Sequence, residues 1–231
     1  MREYLSPRLR CVANLVRQGA VLADVGTDHA YLPLFLLSVG HIDRAICSDI
    51  NEGPLRSARE NATELCQTEN MTFLLTNGLS GIMDHHPTDI AICGMGGELI
   101  AEILQNAPEA HKTGVRFLLQ PMTRQEHLRK TLFTLGFVII KEEYVIEGEK
   151  NYLVIVAEYT GEQQPFGERE CLLGARLWSK EPMTEAEREY FAKKQKALLR
   201  RRDGRIRGGE SATEEDRLLS YLAPYLTSSE R

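Results

Sequence analysis

Two aspartates and a glycine fall together at Asp24-Val25-Gly26-Thr27-Asp28, directly after a short apolar run. A glycine where a strand gives way to a helix lets the backbone turn tightly, and such turns are where open α/β sheets meet their ligands. A diphosphate-binding turn of the G-x-G-x-x-G type needs further glycines at positions that hold Asp28 and Tyr31 here. Asp28 would also repel a phosphate. Carboxylates at this turn favour a cationic ligand instead, and the ammonium and sulfonium of S-adenosylmethionine fit that requirement. Asp24 is then expected to order the loop and the amino acid portion of the cofactor, while an acidic turn capping a helix through Asp28 is the plainer alternative. Asp49 closes a second apolar run 25 positions after Asp24, near the ~20-residue offset at which such sheets place a ribose-binding acid. Nicotinamide enzymes use the same acid. Ile50 would flank an adenine.

Two further loops add to this set. Asn77 has an amide suited to an adenine edge, although Asn77-Gly78 also reads as an ordinary turn. Gly94-Met95-Gly96-Gly97 lets main chain approach a bulky ligand, and a tight strand-to-helix turn wants the same composition.

These loops need elements to hold them. Strands are predicted over 21–25, 45–50, 71–75, 89–93 and 115–119, with helical patterns over 31–39, 54–65, 98–106 and 124–135 and a loop-rich crossover over 76–88. Ser6 and Pro7 open an earlier helix that Gly19 is expected to close. Two longer strands, 137–146 and 152–159, flank a turn-rich segment and predict a closing hairpin. The fold class is α/β, a doubly wound, Rossmann-like sheet with one antiparallel strand near its edge.

The chain resembles the bacterial tRNA (adenine(22)-N(1))-methyltransferases in four blocks: residues 22–33, residues 49–55, Gly94-Met95-Gly96-Gly97-Glu98-Leu99-Ile100 and Leu119-Gln120-Pro121-Met122. The resemblance implies S-adenosylmethionine as cofactor, tRNA as substrate, and cofactor binding by Asp24, Gly26, Asp28, His29, Tyr31, Asp49, Ile50, Asn77, Gly78, Gly94 and Met95. Asn77 departs from the aspartate expected at its place. Attack by adenine N1, which already has a lone pair, needs orientation and charge stabilisation more than a strong base. A carboxylate facing the exocyclic nitrogen of the methylated ring would serve, with Asp28 the first candidate and His29 the second. The N1 atom lies on the pairing edge, so the base must be extruded, and Gly96, Gln120, Pro121 and Met122 are expected to line its pocket. For Gln120 a strand-end hydrogen bond is the ordinary alternative. An adenine-N6 enzyme would show an Asn/Asp-Pro-Pro-aromatic stretch where Gly94-Met95-Gly96-Gly97 stands.

Beyond Gly161 the β-branched runs stop and helix formers dominate, which divides the chain into a catalytic part (1–160, net charge −6) and a helical part (161–231, net charge +1). Patterns of capping-box type begin at Thr184 and Thr213 and predict an antiparallel helical hairpin of coiled-coil character. Lys193, Lys194, Lys196, Arg200, Arg201, Arg202, Arg205 and Arg207 place eight cations in fifteen residues, countered in that stretch by Asp203 alone. That density suits a phosphate-binding surface, and a solvated helix face is the alternative.

Composition bounds the rest. The 231 residues, 42% apolar with net charge −5, exclude a disordered acidic tail. No segment reaches the ~20 apolar residues of a membrane span, and residues 1–9 lack the apolar region of a secretory signal, so a cytoplasmic location is expected. Five scattered cysteines without a C-x-x-C pair predict buried thiols, not disulfides or zinc, and adjacent His85 and His86 predict a solvated loop and no metal. No obligatory protein partner is evident. A nicotinamide oxidoreductase leaves the basic arm unexplained, and a non-catalytic RNA-binding adaptor leaves the acidic loop unexplained.

Overall fold

The computed structural model describes residues 5–163 and 165–226. Seven strands form one sheet: β1 (Ala20–Val25), β2 (Ile42–Asp49), β3 (Met71–Leu75), β4 (Asp89–Met95), β5 (Arg116–Pro121), β6 (Phe137–Glu147) and β7 (Lys150–Tyr159). Their order is β3-β2-β1-β4-β5-β7-β6. The first five are parallel, and β7 runs antiparallel to both β5 and β6. The order reverses between β1 and β4, so a crevice opens there at the carboxyl ends of the strands.

Helices α1 (Pro7–Leu15), α2 (Tyr31–Ser38), α3 (Glu52–Glu64), α4 (Gly97–Gln105) and α5 (Gln125–Leu135) cover the two faces. Alternation along the strands divides the core. Leu22, Ala91, Leu118 and Val154 face the apolar cluster under α1, α2 and α3. Their neighbours Ala23, Ile90, Ile92, Phe117, Leu119, Leu153 and Ile155 face the cluster under α4 and α5. α2 is apolar nearly all round, and five of its eight residues are buried, as a helix wedged between sheet and neighbouring helices requires.

Helix α1 ends at Leu15, four residues before Gly19. The Asp89 carboxylate takes the Arg17 N–H at 2.9 Å and its Nε at 2.7 Å, which supplies the partners a continuing helix would have supplied. Gly19 instead turns the chain into β1 with φ +70°. The expectation of buried cysteines holds for Cys47 and Cys171, whereas Cys11 and Cys93 are half-buried and Cys66 is exposed in a left-handed turn after α3. His86 also adopts a left-handed conformation, after a short 3-10 turn in the loop-rich crossover.

The chain continues through α6 (Glu168–Leu173), α7 (Glu185–Arg207) and α8 (Thr213–Leu226). The sequence reading missed α6, whose start is marked by the Gly167 N–H donating to Glu170 at 2.8 Å. Thr184 caps α7 as expected by accepting from the Glu187 N–H at 3.1 Å. The Glu187 carboxylate does not close the box, because it pairs with Arg176. α8 runs back along α7, with Arg205 near Glu210 and Arg201 near Glu214. Tyr190, Phe191, Leu198 and Leu222 join the same cluster as Ile155 and Phe137, so the pair of helices shares a core with the sheet. No described helix is long and apolar enough to cross a membrane.

Candidate active site

At the switch point, the strand ends and α1 enclose a cavity of about 480 Å³ lined in part by Asp24, Gly26, Asp28, Tyr31, Asp49, Gly94 and Met95. The sequence proposed all seven as cofactor residues. The turn that forms the cavity floor has three left-handed residues, Gly26, Asp28 and Ala30. The Gly26 and Thr27 N–H groups both donate to the Ser48 carbonyl, at 2.8 and 2.9 Å, which ties this turn to β2. Gly26 has φ +72°, and a Cβ there would lie 2.2 Å from Met95 Cε, so glycine serves both the turn and the side chain lying over it.

Asp24 is 6% exposed and accepts a 2.6 Å hydrogen bond from the Thr27 hydroxyl. Burial, with Asp28 and Asp49 nearby, pushes its carboxyl up to about 6 despite that hydrogen bond. Asp49 accepts from the Asn51 N–H at 2.8 Å through one oxygen, which orients the carboxylate at the end of β2. Asp28 points outward with 72% of its side chain exposed, 3.5 Å from His29 Nε2. The His29 ring stacks on Tyr31 at 5.2 Å.

His29, Ile50, Asn77 and Gly78 stand outside the wall of this cavity. Ile50 is 62% exposed beside it. The wall instead includes residues that sequence reading did not select: Ser6, Arg8, Leu9, Thr27, Leu32 and Cys93. Arg8 is the consequential one. Its Nη1 donates to Gln120 Oε1 at 3.0 Å, its backbone N–H donates to Glu147 at 3.0 Å, and its guanidinium lies 5.8 Å from the Tyr152 ring centre. Nothing local in the sequence ties α1 to the head of the sheet, so only the packing of α1 against β6 and β7 reveals this cation.

The reading of Gln120 as a base contact is corrected. Gln120 is 0% exposed, and its amide oxygen accepts from Arg8 and from the Gly94 N–H at 3.1 Å. It braces the cavity wall and has no surface to offer RNA. Pro121 is also buried, whereas Met122 is exposed and Gly96 half-buried.

The glycine-rich loop divides its labour. Gly94 has φ +77° and faces Arg8. Gly97 packs against the loop after β5, donating to Thr123 O at 2.8 Å. A Cβ on Gly97 would stand 2.6 Å from two backbone carbonyl oxygens, those of Thr123 and Arg124. Gly97→Ala must therefore part the two loops, at a cost of about 1–3 kcal/mol. We expect a fall in Tm of roughly 3–10 °C in thermal melts, with loss of activity at temperatures where the variant is still folded.

The arm also differs from its sequence reading. Asp203 is not the only counter-charge, because α8, the turn before it, α5 and the first turns of α7 bring acids that the linear stretch does not contain. Lys194 pairs with Glu126, Arg201 with Glu214 and Glu215, Arg202 with Asp216, and Arg205 with Glu215 and Glu210. Lys193 pairs with Glu189 and reaches Asn151. Lys196, Arg200 and Arg207 keep the outer face of α7, exposed and without an acidic partner among the described residues.

Comparison with known proteins places this architecture among methyl-transfer enzymes. Residues 5–155 match the family described as a methyltransferase domain. The chain is 36% identical over 154 residues to the tRNA (adenine(22)-N(1))-methyltransferase of Bacillus subtilis, an alignment covering 67% of this chain and 65% of that one. A crystal structure from Streptococcus pneumoniae, a putative tRNA (m1A22) methyltransferase in complex with S-adenosyl-L-methionine, is 31% identical with a TM-score of 0.81 and covers 96% of this chain and 99% of that one. A Mycoplasma capricolum relative in complex with S-adenosyl-homocysteine is 25% identical with a TM-score of 0.79, covering 96% and 97%.

Proposed function

The chain belongs to the tRNA (adenine(22)-N(1))-methyltransferase family, and from that premise we propose that it transfers a methyl group from S-adenosylmethionine to N1 of an adenine in tRNA. The observation that carries this reading is the charge pattern of the cavity. Three carboxylates, Asp24, Asp28 and Asp49, and one guanidinium, Arg8, line it. A zwitterionic amino acid joined to a sulfonium matches that pattern, and a diphosphate would meet repulsion.

In this reading Asp24, held by Thr27, takes the cofactor ammonium, and Arg8, steadied by Gln120, takes its carboxylate. Asp49, with one oxygen fixed by Asn51, grips the ribose, and Ile50 shields the adenine. Bound S-adenosylmethionine supplies an electrophilic methyl group. The protein's own residues then orient the target base, exclude water and offset the charge that develops on the ring. Asp28 stands at the open side of the cavity, where the base must enter, and its carboxylate stabilises the cationic ring or takes its proton. Gly96 and Met122 line the entrance.

Residues 1–160 carry the transfer, and the helical part, 161–231, engages RNA. The sorting of cations on α7 narrows the RNA-binding set. Lys196, Arg200 and Arg207 meet phosphate, while Lys194, Arg201, Arg202 and Arg205 hold the helices together. The K196E/R200E variant should bind tRNA at least tenfold more weakly and lower the slope of log affinity against log salt by about 2. R202E breaks the pair with Asp216, a surface contact of about 0–1 kcal/mol, and should leave that slope near its original value. Equal slopes for both variants in filter binding would reject the sorting. The decisive experiment for the function is incubation with labelled methyl donor and unmodified tRNA, followed by mapping of the modified nucleotide. Label on N1 of an adenine supports the reading, and absence of label from tRNA refutes it.

A further inference from the structure

A buried ion pair lies between the sheet and the helices that follow it. Arg129, on α5, and Glu142, on β6, expose 0% and 1% of their side chains. The guanidinium Nε and Nη2 donate to the two carboxylate oxygens at 2.6 and 3.0 Å. Its Nη1 donates to the carbonyls of Cys171 and Leu172 at 2.9 and 3.1 Å, and the Ala175 N–H donates to Glu142 Oε2 at 3.0 Å. Gly174 allows this approach. Its φ is +53°, and a Cβ there would lie 2.3 Å from Glu142 Oε2 and 2.5 Å from Arg129 Nε. The Tyr144 hydroxyl donates to the same carboxylate oxygen at 3.4 Å, and its ring lies 4.9 Å from that of Tyr190 on α7. One charge pair thus joins α5, β6, residues 171–175 and, through Tyr144, α7.

Desolvation of both ions offsets much of their attraction, so apolar side chains of equal volume would hold these elements about as firmly. The pair supplies direction, because its fork of hydrogen bonds is satisfied in one arrangement. Both ends of that arrangement touch the functional surfaces. α5 begins directly after the Thr123 and Arg124 turn that packs on Gly97. The 171–175 segment leads into α7 and its free cations. We propose that Arg129, Glu142 and Gly174 are positioning residues for the reaction: they fix the basic face of α7 relative to the head of the sheet, so that tRNA held on one presents its adenine to the other. The inference rests on the tRNA methyltransferase reading above, and none of the three residues touches cofactor or RNA.

The test compares the intact chain with Glu142→Gln, which keeps shape but removes the charge, and with R129M/E142L, which fills the same volume with apolar atoms. For each, the affinity for S-adenosylmethionine is measured by calorimetry, and KM and kcat are measured with a tRNA transcript. The expected result is cofactor affinity within twofold, KM for tRNA raised tenfold or more, and kcat within threefold. Unchanged KM in either folded variant overturns the proposal, as does a matching loss of cofactor affinity, which marks a general loss of structure. If Glu142→Gln does not fold, R129M/E142L decides. If neither folds, the pair is a stability element and the proposal falls. A wild-type chain that leaves tRNA unmethylated removes the functional reading itself, whereas wild-type activity with unaltered variants removes the anchor alone.

Discussion

Asp24→Asn should abolish cofactor binding and make the protein more stable. The carboxylate is buried, and its folded-state pKa, about 6, lies above the ordinary value of 3.8. Keeping it ionised at neutral pH therefore costs on the order of 3 kcal/mol. Asparagine retains an oxygen for the Thr27 hydroxyl and carries no charge to desolvate, so Tm should rise by up to about 6–12 °C. The same change removes the counter-charge for a cofactor ammonium, and loss of one partner of a buried ion pair costs about 3–5 kcal/mol, or roughly 10²–10⁴ in affinity. The pH dependences have opposite signs. A raised carboxyl pKa means that the folded state binds the proton more tightly, so this group's contribution to stability grows as pH falls from about 6 toward 3.8. Cofactor affinity falls over the upper part of that window, because the protonated acid no longer attracts a cation. Calorimetry at several pH values checks the second effect and thermal melts the first. An Asp24→Asn variant that binds S-adenosylmethionine as tightly as the parent would remove Asp24 from the site.

Local pattern carried the strand ends and the acidic turn into the sequence reading. Asp24, Gly26, Asp28 and Asp49 are separable on sequence grounds because each stands at or just beyond the end of a short apolar run, and the sheet then brings those ends together. Arg8 and Gln120 show where such reasoning stops. Arg8 belongs to a helix whose start was legible at Ser6 and Pro7, but its place over the cavity depends on α1 packing against β6 and β7, more than a hundred positions away in sequence. Gln120 sits at a strand end like the aspartates, yet the Gly94 N–H and Arg8 converge on it and close it from solvent. The arm shows the same limit in electrostatic form. Eight cations with one nearby acid describe a phosphate surface only if no other segment folds back with carboxylates, and α8 brings Glu214, Glu215 and Asp216. The missed helix α6 has a different cause: at six residues it is too short to show a periodic stripe.

Asp28→Asn should leave cofactor affinity within a few fold and lower methyl transfer by about 10²–10⁴, the usual range for loss of a group that moves or stabilises a proton in the transition state. The substitution suits the backbone, since Asp28 has φ +51° and asparagine tolerates left-handed conformation nearly as well as aspartate. Any loss then reports on the charge and not on the turn. The exposure of Asp28 in the free protein follows from the role proposed for it. A residue that must meet an extruded base cannot be covered beforehand, and RNA docking supplies the low-dielectric surroundings in which a carboxylate acts strongly on a cationic ring. His29 provides the control. It lies beside Asp28 but outside the cavity wall, stacked on Tyr31, so His29→Ala should cost less than about tenfold, through looser support of the turn. Single-turnover assays with saturating cofactor separate the two. Full turnover in Asp28→Asn would assign charge stabilisation elsewhere, and a His29→Ala defect larger than that of Asp28→Asn would reverse their roles.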